Sequence, residues 1–398
     1  MVIASRRLAL PKIGIPPAVI FFWLLHVGIS LGFGFYLQAN PELPEAPWFS
    51  SPDWAGNLAH WDVNWEMRIA DQGYGPDFVP QTSAKFPLAA LSARLIHQLL
   101  GVSIQVALFI VNKFGVLVGF WALWRLVNRL FDPLTAHRAV GYMACALFGT
   151  GFIYWMSYPD PLFLAWWALA FDALFAKQYY RAGLWATLAV WTRPQGALLL
   201  PVFALSILVN HLRTHGFRAT FFGRAFWANV FSACLIPSLA LIAWVIRVSD
   251  VTLIPFSPYA AQQDVRQTGL IWPWQRIIQF VDDLQRLTQF TYIGMRLEAV
   301  QLILVGLLLV VLGVLSFRRK LPWELSLFSL MCVFLPLMTA IFAVGRFATM
   351  TFLPVGFVFL VPVKYRRLDI LLWVIGLLLS MLVFIVLNMF SLQIYYVP

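Results

Sequence analysis

The chain has 398 residues, 61% of them hydrophobic and 11% charged, and carries a formal net charge of +11. A soluble domain has about 25% charged residues, so most of this surface is not built to face water. The positive balance does not mark a nucleic-acid binder, because the basic residues fall in short clusters between apolar runs, not along one stripe.

Along the chain, Arg6, Arg7 and Lys12 precede an apolar run over 17–37. That run is longer than the roughly 7–15 residues of a signal-peptide core and no A-x-A site follows, so it reads as a retained first span. A long outer loop, 38–101, comes next. It holds the Pro-rich stretch NPELPEAPWFSSP, a helix over HWDVNWEMRIADQGYG, and the short apolar segment KFPLAALSARLIHQLLG, read as an outer or re-entrant helix. Further candidate spans lie at 102–127, 139–157 and 160–176. Residues 183–193 and 197–211 read as two short passes meeting at TRPQG, where Pro194 and Gly196 break the helix. The first pass rises only about 16 Å, which leaves Arg193 at membrane depth. After a span at 225–247 comes a second outer loop, 248–297, followed by spans at 298–316, 324–344, 348–363 and 369–390.

The expectation is therefore an all-α polytopic membrane protein of about 11 spans, forming one membrane domain over 1–398 without internal repeats. Basic clusters such as Arg125 with Arg129, Lys177 with Arg181, Arg318–Lys320 and Arg366–Arg367 recur at alternate turns and define the inner side. With an odd number of spans the C-terminal Pro398 is expected outside. The 18 tryptophans and 35 phenylalanines suit aromatic belts at the two interfaces. Cys145, Cys234 and Cys332 all lie in apolar segments and read as small core residues.

Charges inside such a chain are expensive, so each one invites an explanation. On a helix, Asp62 and Glu66 share a face while Trp61 and Trp65 share the next. A membrane-surface carboxylate suits a general base, and an interfacial helix with Trp anchors is the plainer alternative. Arg193 in WTRPQG either faces a polar cavity or forms an ion pair with an outer-side acid such as Asp160. Asp160, between two prolines in SYPDPLF, also reads as a simple turn residue. Arg346 in VGRFATMTFLP occupies an outer turn, where it can meet a phosphate or a lipid headgroup. Lys113, midway along the second span, is explained by snorkelling or by pairing with Asp172.

Several chemistries have no residues to perform them. Walker A, G-x-G-x-x-G, H-E-x-x-H, C-x-x-C and D-x-D patterns do not occur, and His26, His60, His97, His137, His211 and His215 lack ligand spacing. Neither a metal nor a cofactor is expected.

Taken in order, Trp61-Asp62 with IADQGY, Phe86-Pro87, YPDPLF, TRPQG and Arg346-Phe347 with Pro354 resemble the GPI mannosyltransferase 2 (phosphatidylinositol-glycan class V) family and its prokaryotic relatives. Asp160 stands where that family usually has Glu, and Phe347 where it has Tyr. The resemblance implies a GT-C-like bundle and an inverting glycosyltransferase. Such an enzyme moves a sugar, most often mannose, from a polyprenyl- or dolichyl-phosphate donor to an acceptor hydroxyl on the outer face. It implies Asp62 as catalytic base, with His60, Trp61, Trp65 and Glu66 on the acceptor side or in support. Arg193, Arg346, Lys85, Asp160, Tyr158 and Gln195 then form the donor side. The short outer loops point to a bacterial plasma membrane, with the site expected on its extracytoplasmic face and a glycan or lipid as acceptor. A transporter or flippase using the same intramembrane charges is the rival reading, although only one half of the chain has a TRPQG-type break.

Overall fold

In a bilayer every backbone N–H and C=O must be satisfied inside the protein, and a helix does so within one segment. The computed structural model describes residues 14–40, 53–59, 62–75, 82–258, 260, 272–286, 293–338 and 344–390, and every regular element among them is helical. In chain order these are α1 (Pro17–Ala39), α2 (Asp62–Gln72), α3 (Pro87–Leu100), α4 (Ile104–Leu130), α5 (Pro133–Cys145), α6 (Phe152–Trp155), α7 (Asp160–Phe175) and α8 (Tyr179–Thr192). Then follow α9 (Leu199–Phe222), α10 (Arg224–Thr252), α11 (Pro273–Arg286), α12 (Ile293–Phe317), α13 (Trp323–Leu337), α14 (Val344–Thr349), α15 (Gly356–Leu360) and α16 (Arg366–Phe390). Six stretches among the described residues are long and apolar enough to cross a bilayer: Pro17–Ala39, Ile104–Leu130, Pro194–Phe217, Arg224–Thr252, Ala299–Phe317 and Val363–Ile385. They mark the chain as a helical integral membrane protein.

The centre of the bundle is α7, which is buried along its whole length except at Trp166 and Phe175. A helix that is apolar all round belongs in a core, and α4 and α8 cover this one. Close approach of α4 depends on Gly115, where an added Cβ would come 2.7 Å from the Leu162 backbone nitrogen. An aspartate stands near each end of α7, Asp160 and Asp172, which are about 18 Å apart along the axis. Asp172 is paired with Arg125, at 2.7 Å, and with Arg129. A second buried pair joins α5 to α16: Arg138 donates to both oxygens of Asp369 at 2.7 and 2.9 Å and to the Val361 carbonyl at 2.6 Å.

Lys113 departs from both expectations placed on it. It neither snorkels nor meets Asp172, but is buried and donates to the carbonyls of Tyr154 and Trp155 and to Asn112 Oδ1. The last turn before α7 leaves carbonyls without helical partners, and the ammonium supplies donors for them. Two expected spans are not single helices. The segment 139–157 stops at Cys145, where Ala146 turns left-handed (φ 44°) and Gly149 (φ 73°) turns the chain into α6. In 348–363, the Thr351 hydroxyl donates to the Ala348 carbonyl and accepts from Leu353 N–H, diverting the backbone into a 3-10 turn over Leu353–Val355.

The segment between α1 and α4 holds two helices, as expected. Arg94 on α3 donates to the Ala70 and Ile69 carbonyls at 2.6 and 3.0 Å, which satisfies the C-terminal end of α2 and ties the two helices together. The break at TRPQG is also present: α8 ends at Thr192, Arg193 is extended, and Pro194–Leu198 form a 3-10 turn. Gly196 lets this turn fold back onto α8, because a Cβ there would lie 2.4 Å from the Ala189 carbonyl and the Val190 nitrogen. Backbone atoms cannot step aside as side chains do. Gly196→Ala is expected to destabilise the protein by about 1–3 kcal/mol, the usual range for overpacking. Thermal unfolding in detergent checks this, and an unchanged melting temperature would show that the turn is not tightly seated.

Candidate functional site

Each residue of the site is aimed by a local feature of its own segment. Asp160 is the first residue of α7, where the helix N-terminus favours a negative charge and Pro161 costs no hydrogen bond. The loop before it is fixed by Asn112, whose amide donates to the Ile153 and Tyr158 carbonyls at 3.1 and 2.7 Å. Arg193 is extended (φ −154°, ψ 152°), the conformation that a following proline enforces. Lys85 precedes the Phe86-Pro87 start of α3. Its carbonyl accepts from the Tyr74 hydroxyl at 2.7 Å, while the Phe86 ring stacks on Trp244 of α10 at 4.0 Å. Arg346 is carried by the short helix α14, and Asp62 opens α2.

These five charges meet. Arg346 donates through Nε and Nη2 to the two oxygens of Asp160, at 3.0 and 3.2 Å, and through Nη1 to Asp62 Oδ2 at 2.9 Å. Its guanidinium lies 4.3 Å over the Tyr158 ring. Lys85 Nζ is 2.6 Å from the other oxygen of Asp62. Arg193 pairs with Asp160 and lies 5.3 Å from the centre of the Phe347 ring. Exposure falls steadily inward: 32% for Asp62, 20% for Lys85, 5% for Arg346 and none for Asp160. A ligand arriving from the surface would therefore meet Asp62 and Lys85 first.

The arrangement settles several alternatives. Asp160 is no simple turn residue, since it is fully buried between two arginines. Arg193 does form the ion pair with Asp160, but Arg346 extends that pair to Asp62, and the polar Gln195 lies buried two residues away, its Oε1 without a hydrogen bond among the described residues. Tyr158 is buried, with no hydrogen bond to its hydroxyl among the described residues. Trp65 is the residue the structure leaves apart. It stacks with Arg68 at 5.0 Å, and no hydrogen bond or ion pair among the described residues ties it to the cluster. His60 and Trp61 lie outside the described residues.

Asp62 and Glu66, one turn apart, are in opposite electrostatic states. Burial alone would raise the Asp62 carboxyl, but Lys85 and Arg346 outweigh it and hold the group well below the usual carboxylate range. Glu66 is 3% exposed, its Oε2 has no hydrogen-bond partner among the described residues, and burial pushes it up to about 8 against the pull of Lys85. Burial thus favours the neutral, protonated form of Glu66. Two contacts have no signal in the sequence. Trp244, which stacks on Phe86 and donates to Tyr74 Oη at 3.3 Å, is one tryptophan among many in an apolar helix. The contact of Phe347 with Arg193 is equally silent.

The raised Glu66 group has a consequence for stability. The folded state keeps a proton that the unfolded chain releases above about 4.5, so stability falls as pH rises from there to about 8. Glu66→Gln keeps the neutral shape and is expected to flatten that part of the profile. Melting temperatures of both proteins between pH 5 and 9, about the range the linkage relation covers, check this. Parallel profiles would show that Glu66 is already ionised. No protein-family model matches the chain and no curated protein matches it, so the chemistry of the cluster rests on its own geometry.

Proposed function

We propose that the chain is a membrane glycosyltransferase that moves a sugar, with mannose the leading candidate, from a polyprenyl-phosphate donor to an acceptor hydroxyl. One observation carries this reading. Lys85, Arg193 and Arg346 oppose only Asp62 and Asp160 in the same cluster, three positive charges against two negative, with the nearby Glu66 neutral. A site with a surplus of one positive charge inside an apolar bundle complements a lipid phosphodiester, which carries one negative charge and a long apolar tail. The order of the motifs, which resembles the GPI mannosyltransferase 2 family, points the same way.

In this reading the acceptor oxygen attacks the anomeric carbon and forms the new glycosidic bond. The bond from that carbon to the phosphate oxygen breaks, and its electron pair leaves with the lipid phosphate. The acceptor proton passes to Asp62. Arg346, Arg193 and Lys85 neutralise the charge that develops on the departing phosphate. A GT-C-like bundle of eleven passes belongs to the same proposal, with the cluster on the outer face and the basic turns such as Arg318–Lys320 inside.

Incubation of the purified protein with a polyprenyl-phosphate mannose and membrane glycolipids is expected to yield free polyprenyl phosphate and a mannosylated product, detected by mass spectrometry. Asp62→Asn keeps the side-chain shape but cannot take the proton, so turnover is expected to fall by about 10²–10⁴. Movement of the donor lipid between leaflets without bond cleavage would replace the enzyme by a transporter. The phosphate contact has its own test. Arg193→Ala is expected to weaken donor binding by roughly 1.5–3 kcal/mol, with lysine rescuing only part because an ammonium cannot grip two oxygens in parallel. Unchanged affinity in a folded variant would reduce Arg193 to a structural partner of Asp160.

A further inference from the structure

The cations that the donor reading assigns to a phosphate are not free. Lys85 Nζ is 2.6 Å from Asp62 Oδ1 and Arg346 Nη1 is 2.9 Å from Asp62 Oδ2, so both oxygens of the most accessible carboxylate are occupied. The other two bonding nitrogens of Arg346 are committed to Asp160, which is completely buried. A phosphate entering from the exposed side therefore reaches Lys85 and Arg346 where Asp62 already holds them. The same two cations make Asp62 a poor base, because a proton arriving on the carboxylate cancels the negative charge that both of them hold.

We propose that the lipid phosphate and the Asp62 carboxylate compete for Lys85 and Arg346, so that donor binding itself releases Asp62 to act as base. The inference rests on the donor reading above and adds an order of events to it. Without donor, water or an acceptor hydroxyl meets a carboxylate whose oxygens are both engaged. When the phosphodiester arrives, its oxygens accept from the ammonium and from Nη1, one charge-assisted bond replacing another. Arg346 need not move, because Asp160 keeps its grip on Nε and Nη2 from below. The carboxylate loses two cationic neighbours and gains an anionic one, and both changes increase its hold on a proton. Asp62 becomes a competent acceptor only when a sugar is in place to be attacked. Asp160 cannot be released in this way, since it is closed off from the surface.

Competition makes a prediction opposite in sign to a simple contact. If Asp62 helped to hold the donor, removing its charge would weaken binding; if it competes, removing its charge strengthens binding. Affinities of a polyprenyl monophosphate and of the matching uncharged polyprenol are measured on the full-length protein and on Asp62→Asn, with melting temperature as the check on folding. Tighter phosphate binding by Asp62→Asn, about tenfold for each 1.4 kcal/mol of competition removed, with unchanged polyprenol binding, is the expected result. Equal or weaker phosphate binding by a folded Asp62→Asn protein overturns the competition and leaves the donor reading standing. A gain for both lipids alike also overturns it, since the effect would not concern the phosphate. If neither protein binds the phosphate, the donor reading falls and the competition with it. Should Asp62→Asn not fold, Asp62→Ser removes the same charge and is read by the same outcomes.

Discussion

The Arg346 guanidinium is the constraint on which the site depends. It joins Asp160, 186 residues away in sequence, to Asp62, 284 residues away, and lies against the Tyr158 ring between them. A guanidinium suits this position because its planar fork offers several fixed donors while remaining charged. Taking such groups out of water costs several kcal/mol per ion, which pairing recovers only when most donors and acceptors are used. The cluster meets that condition for Asp62, Asp160 and Arg346, each of which bonds through more than one atom. Replacing buried ion pairs by hydrophobic residues of similar shape is often neutral or stabilising, so such a cluster is weak evidence of stability. Ionic groups kept at that disadvantage point to a task other than stability.

The rest of the bundle can be understood as the support for this cluster. The buried α7 presents Asp160 at one end, while Asp172 at the other end is engaged by two arginines of α4. Both ends of the rod are thus fixed by charge, and its sides by packing against α4 and α8. The α8 break then brings Arg193 to Asp160. The α2–α3 unit, stapled by Arg94, brings Asp62 and Lys85 over the top. None of these segments could aim its charge alone, since each is short or broken at the point where it reaches the site.

How much of this was legible in the sequence follows from the range of each interaction. Apolar length revealed the long helices, and Pro194 with Gly196 revealed the α8 break, because both signals are local. The break at Ala146 was missed because alanine gives no warning of a left-handed backbone, and 139–157 was read as one continuous span. The interruption at Thr351 depends on a hydroxyl choosing a backbone partner, which composition cannot foretell. Of the cluster charges, Arg193 stood out at membrane depth and Asp62, Asp160 and Arg346 in short motifs, while Lys85 entered only with the family resemblance. Their pairing did not stand out, because it is decided by packing between segments up to hundreds of residues apart. For the same reason Lys113 was matched to the wrong partner, when the carbonyls of Tyr154 and Trp155 were nearer.

The difference between Asp62 and Glu66 is the part that no pattern could show. Four residues apart on one helix, they look equivalent, yet one faces two cations at the surface and the other is sealed in the core with an unbonded oxygen. That difference sets the charge of the whole site. With Glu66 neutral, three cations face two carboxylates and one more anion can be accommodated. With Glu66 ionised, the cluster would already be balanced, and a phosphate would bring an uncompensated charge into a low-dielectric interior. On the donor reading, the burial of one carboxyl is therefore what leaves room for an anionic ligand beside the other.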